Sequence, residues 1–320
     1  MPGGVEDATG ATRTRPGQQG TDDRDLVVGA VMSGVEVVLA ANADLAESPV
    51  WDSEDDVLWW VDIFRGEVHR FDPSSGRDEK FQLAGPVGSL ALRRSGGLIV
   101  ALRDGLYTYQ LGGDVRPLAL PEPERRHNRF NDGRTDRRGR FWVGSLHLDE
   151  TEPTGALYRL DPDARCTRMA DGVYASNGTA FSPDGRTGYH ADSQRGVVWH
   201  FDCDPDSGAL SNRRVFIEIE RRQGAPDGAI VDRDGCYWLT HASGWRIVRY
   251  DPQGRVDRVL QLPVEIPTSA AFGGRDGRTL FITTARYSLS PEALSIQPLA
   301  GSILAIDVGV GGEADTRFAA

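Results

Sequence analysis

The sequence predicts an all-β chain folded as a six-bladed β-propeller. Three observations carry this. A turn signature recurs six times at a spacing of 41 to 50 residues, a strand-like run follows each turn, and a further run in five of the six units ends in an apolar residue followed by Asp. The turns are Asp52-Ser-Glu-Asp55, Arg93-Arg-Ser-Gly96, Asp136-Arg-Arg-Gly139, Ser182-Pro-Asp-Gly185, Asp232-Arg-Asp-Gly235 and Gly274-Arg-Asp-Gly277. Asp and Gly suit tight hairpins, which need a positive φ that glycine adopts without strain.

The runs after the turns are Leu58-Trp-Trp-Val61, Leu98-Ile-Val-Ala101, Phe141-Trp-Val143, Thr187-Gly-Tyr189, Tyr237-Trp-Leu239 and Leu280-Phe-Ile282. The next strand closes on Phe71-Asp72, Leu160-Asp161, Phe201-Asp202, Tyr250-Asp251 and Ile306-Asp307, and the second unit has Leu106-Tyr-Thr-Tyr109 instead. Val215-Phe-Ile217 and Val259-Leu-Gln-Leu262 are candidates for a fourth strand. Blades of this kind stack face to face, each burying apolar surface that its neighbour needs. A β-sandwich with irregular loops does not repeat at this period. The ring must close, and Val35-Glu-Val-Val-Leu39 is expected to give the sixth blade its outer strand, with Arg317-Phe-Ala319 as a competitor. The catalytic domain is therefore expected over residues 35–320. Residues 1–34 are polar, rich in Gly, Arg, Thr and Asp, and lack the apolar run of a secretory leader, so a disordered tail is expected there.

Lys and Arg number 36 against 47 Asp and Glu, a net charge of −11. An acidic surface repels phosphate backbones, so nucleic acid is not an expected partner. No apolar run approaches the ~18 residues of a membrane helix, so no membrane association is expected. The three cysteines, Cys166, Cys203 and Cys236, have no short spacing. That argues against a disulfide framework and a zinc cluster, and points to a reducing compartment, the cytoplasm.

The chemistry lies in one column of the repeat. Eight residues before the end of each turn stand Glu47, Gly88, Asn131, Asn177, Asp227 and Ser269, or Thr268 if the last unit carries an insertion. These positions should begin the strand nearest the axis. Carboxylate and carboxamide oxygens suit hard divalent cations, and a cation would relieve the repulsion of two converging carboxylates. Asn and Asp at strand starts also cap turns, but Glu47, before Ser48-Pro49, does not fit that role. The six histidines show no ligand spacing. His69 and His200 lie on third strands as packing or surface residues, whereas His147 and His241 end strands near the channel mouth. No nucleophile elbow or phosphate loop is present.

With these motifs in hand, the chain resembles the gluconolactonase, regucalcin and senescence-marker-protein family. The matching segments are Glu47-Ser-Pro-Val-Trp-Asp52, Leu58-Trp-Trp-Val-Asp62, Asn128-Arg-Phe-Asn-Asp-Gly133, Gly139-Arg-Phe-Trp-Val-Gly144, Ser176-Asn-Gly178, Ser182-Pro-Asp-Gly-Arg186, Ala191-Asp-Ser193 and Pro226-Asp-Gly228, in the family's order. The resemblance implies a propeller that binds one divalent metal ion (Ca²⁺, Zn²⁺, Mg²⁺ or Mn²⁺) through Glu47, Asn177 and Asp227. It implies that Arg129 and Asn131 face a sugar lactone and that Asp227 is the general base for its hydrolysis. Some animal members carry a substrate-binding Glu after a Gly-Thr-Met segment. This chain has Gly144-Ser-Leu-His-Leu-Asp149 there, which puts Asp149 and His147 in the substrate-binding role. The alternatives are a phosphotriesterase or another lactonase or esterase on the same scaffold, and a non-enzymatic calcium-binding propeller.

Overall fold

Each turn signature joins the first two strands of a four-stranded antiparallel sheet. Six such sheets make up the computed structural model, which describes residues 34–320. The expected tail, apart from Gly34, lies outside the described residues. The first strands are Ala46–Asp52, Val87–Leu92, Asn128–Thr135, Ser176–Phe181, Ala225–Val231 and Pro267–Gly273. Each packs against the first strand of the next blade, and the last packs against the first, so the six close a ring. The sequence explains the radial order. First strands are buried almost throughout, while fourth strands such as Arg77–Gln82 and Val256–Gln261 are polar and mostly exposed.

The apolar core is divided into wedges, each between two neighbouring blades. Trp59 and Val61 meet Leu90 and Val100 between the first and second blades. Tyr189 and Val198 meet Tyr237 and Val248 between the fourth and fifth. Trp238 and Ile247 meet Phe272 and Leu304 between the fifth and sixth. No blade buries its faces alone, so the ring is cooperative by construction. In two blades the first turn residue also anchors the wedge: the Trp142 indole donates to Asp136 at 2.9 Å, and the Trp238 indole to Asp232 at 2.8 Å.

Closure comes from the start of the chain. Glu36–Leu39 pairs antiparallel with Ile303–Asp307 as the outer strand of the sixth blade. The C-terminal segment has a different role. Residues 311–320 run under the first turns, at the opposite end of the ring from the column residues. Arg233 donates its backbone N–H to Gly311, Gly312 to Gly277, Phe318 to Leu92 and Ala319 to Gly139, all at 2.7–3.0 Å. Arg317 pairs with Asp52 at 2.6 Å, and Asp315 with the buried Arg134 at 2.7 Å. Phe318 is buried in the wedge between the second and third blades.

Two truncations separate these roles. A chain starting at residue 40 exposes the edge of Ile303–Asp307 and should unfold at a lower temperature than one starting at residue 35. A chain ending at Gly312 loses a buried Phe, worth about 3–5 kcal/mol, together with the Arg134 partner. Its Tm should fall by on the order of 10 °C at roughly 2 °C per kcal/mol. Unchanged melting on C-terminal truncation would show that the strap is only apposed to the ring.

Candidate active site

In every blade the ladder between the first two strands slips by one residue at the same place. The slips fall at Glu47/Val50, Val87/Ser89, Phe130/Gly133, Asn177/Ala180, Pro226/Ala229 and Pro267/Ser269. An extra residue in one strand bends it and re-aims its side chains. Glu47, Asn131, Asn177 and Asp227 are thereby gathered in the wall of one cavity of about 700 Å³. Gly88 and Ser269, the other members of the column, do not line it. A Cβ on Gly88 would lie 2.4 Å from the Phe130 carbonyl oxygen, so only glycine lets the second and third blades come together.

Buried carboxylates fix the loops that lead into the site. Asp62 accepts from the backbone N–H of Asp44 at 2.8 Å, three residues before Glu47. Asp192 accepts from Tyr174 at 3.1 Å, three residues before Asn177. In the third blade Glu122 takes this part, accepting from Ser145 at 2.7 Å, Asn128 at 2.9 Å and Tyr158 at 2.9 Å.

The amides are oriented by a chain of bonds. The Ser193 hydroxyl donates to the Pro226 carbonyl at 2.7 Å, so it accepts from Asn177 Nδ2, 2.8 Å away. That leaves Asn177 Oδ1 to accept from Asn131 Nδ2 at 2.9 Å. Asn131 Oδ1 in turn accepts from Arg129 Nη1 at 2.6 Å. The Asp227 carboxyl has no hydrogen-bond partner among the described residues and is half-buried in the cavity wall.

Charge is crowded here. Burial, and then the nearby Asp132, push the Glu47 carboxyl up to about 8. Burial and then Glu47, Asp132 and Glu150 hold Asp227 well above the usual carboxylate range, with Arg129 opposing. Asp132 is itself raised by burial and accepts the Thr179 N–H at 2.9 Å. Burial lowers the Arg129 guanidinium, opposed by the attraction of Glu150, Glu47 and Asp227. Two mutually repelling carboxylates, one bare of hydrogen bonds among the described residues, and an amide in the same cavity wall would suit a hard cation with oxygen ligands. Among the described residues no three His, Cys, Asp or Glu side chains group closely enough to hold a metal, so the amide of Asn177 is needed to complete any such set.

The sequence matches the SMP-30/Gluconolactonase/LRE-like region over residues 45–286. The chain belongs to this family. Among its relatives are the 6-deoxy-6-sulfogluconolactonase of Pseudomonas putida, 42% identical over 86% of this chain and 95% of that protein, and human regucalcin, 36% identical over 89% and 98%. The solved structure of a calcium-binding protein, regucalcin, from Agrobacterium tumefaciens superposes with a TM-score of 0.86 at 26% identity, covering 90% of this chain and 98% of that one.

Of the residues that the family resemblance singles out, Glu47, Arg129, Asn131, Asp149, Asn177 and Asp227 line the cavity. His147 does not. It ends the strand Phe141–His147, where successive side chains face opposite ways, and Leu146 is the one in the wall. The His147 ring lies 6.0 Å from that of His127, and its Nδ1 accepts the Asp149 N–H at 3.3 Å. His241 is also outside the wall, held by the Gln223 carbonyl and the Tyr250 hydroxyl. His69 packs on Trp60 with ring centroids 3.6 Å apart, and His200 lies beside Arg214.

Sequence reasoning missed three parts of the wall. Glu150 reaches the rim from a left-handed turn, φ 53°, and accepts from Gln194 Nε2 at 2.6 Å. Gln194 follows the matched Ala191-Asp-Ser193 segment, which was the available signal. Phe64 and Tyr287, exposed and 4.7 Å apart, form an aromatic edge to the mouth. Gly88→Ala tests the approach of the blades. It should cost about 1–3 kcal/mol as overpacking against backbone, read as a lower Tm in thermal unfolding, and an unchanged Tm would contradict the close approach.

Proposed function

We propose that this chain is a divalent-cation-dependent hydrolase that opens sugar lactones, with Glu47, Asn177 and Asp227 as the cation's ligands and Asp227 as general base. The observation that carries the reading is the convergence of those three oxygen-bearing side chains in one cavity beside the Arg129–Asn131 pair. Relatives that carry the names sulfogluconolactonase and regucalcin support it. The unpaired cysteines suit a reducing cytoplasm as the setting.

When bound, the cation (Ca²⁺, Mg²⁺, Mn²⁺ or Zn²⁺) would polarise the lactone carbonyl and offset the carboxylate charge. The protein's own groups do the rest. Arg129, whose Nη1 is locked to Asn131 Oδ1 and the Phe130 carbonyl, presents its remaining N–H donors to substrate oxygens, while Asn131, with its own N–H groups committed to Ser176 and Asn177, holds that guanidinium in place to orient the ring. Asp227 takes a proton from the attacking water as its oxygen bonds to the carbonyl carbon. The ester C–O bond then breaks, and the ring oxygen recovers that proton as a hydroxyl.

Two variants should fail differently. Asp227→Asn keeps an oxygen ligand but cannot accept a proton, so kcat should fall by about 10²–10⁴ while the cation still binds. Arg129→Ala removes a contact made in both ground and transition states, so KM should rise more than kcat falls. Kinetics on gluconolactone with cation content measured in parallel check both. Near-normal kcat in Asp227→Asn would restrict Asp227 to coordination, and no opening of any aldonolactone with cation present would overturn the proposal.

The cation should also leave a pH signature. In the cation-free native chain Glu47 keeps its proton up to about pH 8, against 4.5 for the group unperturbed. Between those values the native state binds more protons than the unfolded one, so stability falls as pH rises. A cation displaces those protons, and its stabilisation grows over the same window. The Tm shift on adding Ca²⁺ or Mn²⁺ should be larger at pH 8 than at pH 6. Equal shifts at both pH values would contradict the assignment of Glu47 as a ligand.

A further inference from the structure

The main cavity continues into a second pocket of about 410 Å³ beside the fourth and fifth blades. Ser193, Gln194, Ala225, Ala242 and Ser243 border both. The shared border is the chemically important part. Ser193 is the residue that holds the Asn177 amide and the Pro226 carbonyl, so it marks where the column ends and the side pocket begins.

The two spaces differ in charge. The main cavity has Glu47, Asp149, Glu150 and Asp227 in its wall against Arg129 alone. The side pocket has no carboxylate in its wall and two arginines, Arg195 and Arg221. Arg195 is already committed: it donates to Asp192 at 2.8 Å and to the Gly172 carbonyl at 2.7 Å, and lies over the Tyr174 ring. Arg221 is different. Its guanidinium makes no hydrogen bond or ion pair among the described residues, and it is exposed. The adjacent Glu220 is paired with Arg222 at 2.7 Å and does not serve it.

We propose that the side pocket is a subsite for an anionic group, a phosphate or a sulfonate, carried on the exocyclic carbon of the sugar lactone, and that Arg221 selects for that group. The inference rests on the lactonase reading of the main cavity. Ser193, joined to Asn131 through Asn177, borders both spaces, so a lactone ring held beside Arg129 and Asn131 with its exocyclic carbon turned past Ser193 would bring that carbon's substituent into the side pocket. An anion on that substituent is disfavoured among the carboxylates of the main cavity and has a free guanidinium within the second one. A guanidinium binds such oxyanions through two parallel N–H donors, and the planar fork distinguishes it from a neutral amide of similar reach.

The test compares gluconolactone with its 6-phosphorylated and 6-deoxy-6-sulfonated counterparts, using wild type and Arg221→Gln with saturating cation. Wild type should favour at least one of the anionic lactones over gluconolactone by about tenfold or more in kcat/KM. Arg221→Gln should abolish that preference by raising KM for the anionic lactone about tenfold, with gluconolactone kinetics unchanged. Whichever anion loses more identifies the group the pocket takes. Calorimetric binding of gluconate, 6-phosphogluconate and 6-deoxy-6-sulfogluconate gives a readout without turnover, and the same variant should equalise their affinities. Wild type that opens gluconolactone without preferring either anion, or a variant that treats all three lactones as wild type does, overturns the subsite and leaves the lactonase reading standing. Wild type that opens none of the three overturns both.

Discussion

Six strands that begin beside one axis bring four polar side chains of the column into one wall, and two of those four are carboxylates with a third, Asp132, near them. Burying unpaired negative charge is among the costlier things a protein can do. The chain's own compensation is partial. Arg129 reaches the group from one side, but burial weakens its hold on its proton. Arg134 lies deeper in the channel, and its charge is already engaged by Asp315 from the C-terminal strap. The remaining demand can be met in two ways, by keeping protons on Glu47 and Asp227 or by admitting a cation. The raised proton affinities and the proposed metal site are two expressions of that single excess of charge.

The same convergence explains features that have no chemistry of their own. First strands packed this closely need glycine where one backbone crosses another, as at Gly88 against Phe130. They need the bulge, because a regular ladder would send alternate side chains into the wedges instead of the channel. They also need a floor. The strap of residues 311–320 crosses beneath the first turns of five blades and places Asp315 under Arg134, so the far end of the channel is occupied by protein.

Much of this was legible in the sequence, because a propeller writes the same position six times. The period placed the turns, and the column eight residues before each turn end found Glu47, Asn131, Asn177 and Asp227 together. The bulge that brings them into one wall left no trace, since it is a property of pairing and not of residue type. Closure by the N-terminal strand was readable from Val35-Glu-Val-Val-Leu39 as an unassigned apolar run. The strap was misread as a rival for that edge, since the partners that define it, Arg134 and Asp315, lie 181 positions apart. His147 illustrates the limit of reading distance along the chain as position in space: one residue from Leu146 in the wall, it faces the other way. Glu150 was overlooked for the complementary reason, since a left-handed turn returns it to the rim after the strand has ended.

The acidity of the main cavity also bears on what happens after ring opening. On the proposed reaction a lactone becomes a carboxylic acid, which is ionised at neutral pH. The new charge arises among Glu47, Asp149, Glu150 and Asp227, with Arg129 as the single protein cation in the wall. The lactone ring carries no such charge at the ester and meets no such opposition. Apart from the attraction of the proposed cation, the wall therefore opposes the product through the one property that hydrolysis changes. A substituent anion in the side pocket would be bound equally before and after ring opening. It would add affinity without altering that opposition, which separates what selects the substrate from what releases the product.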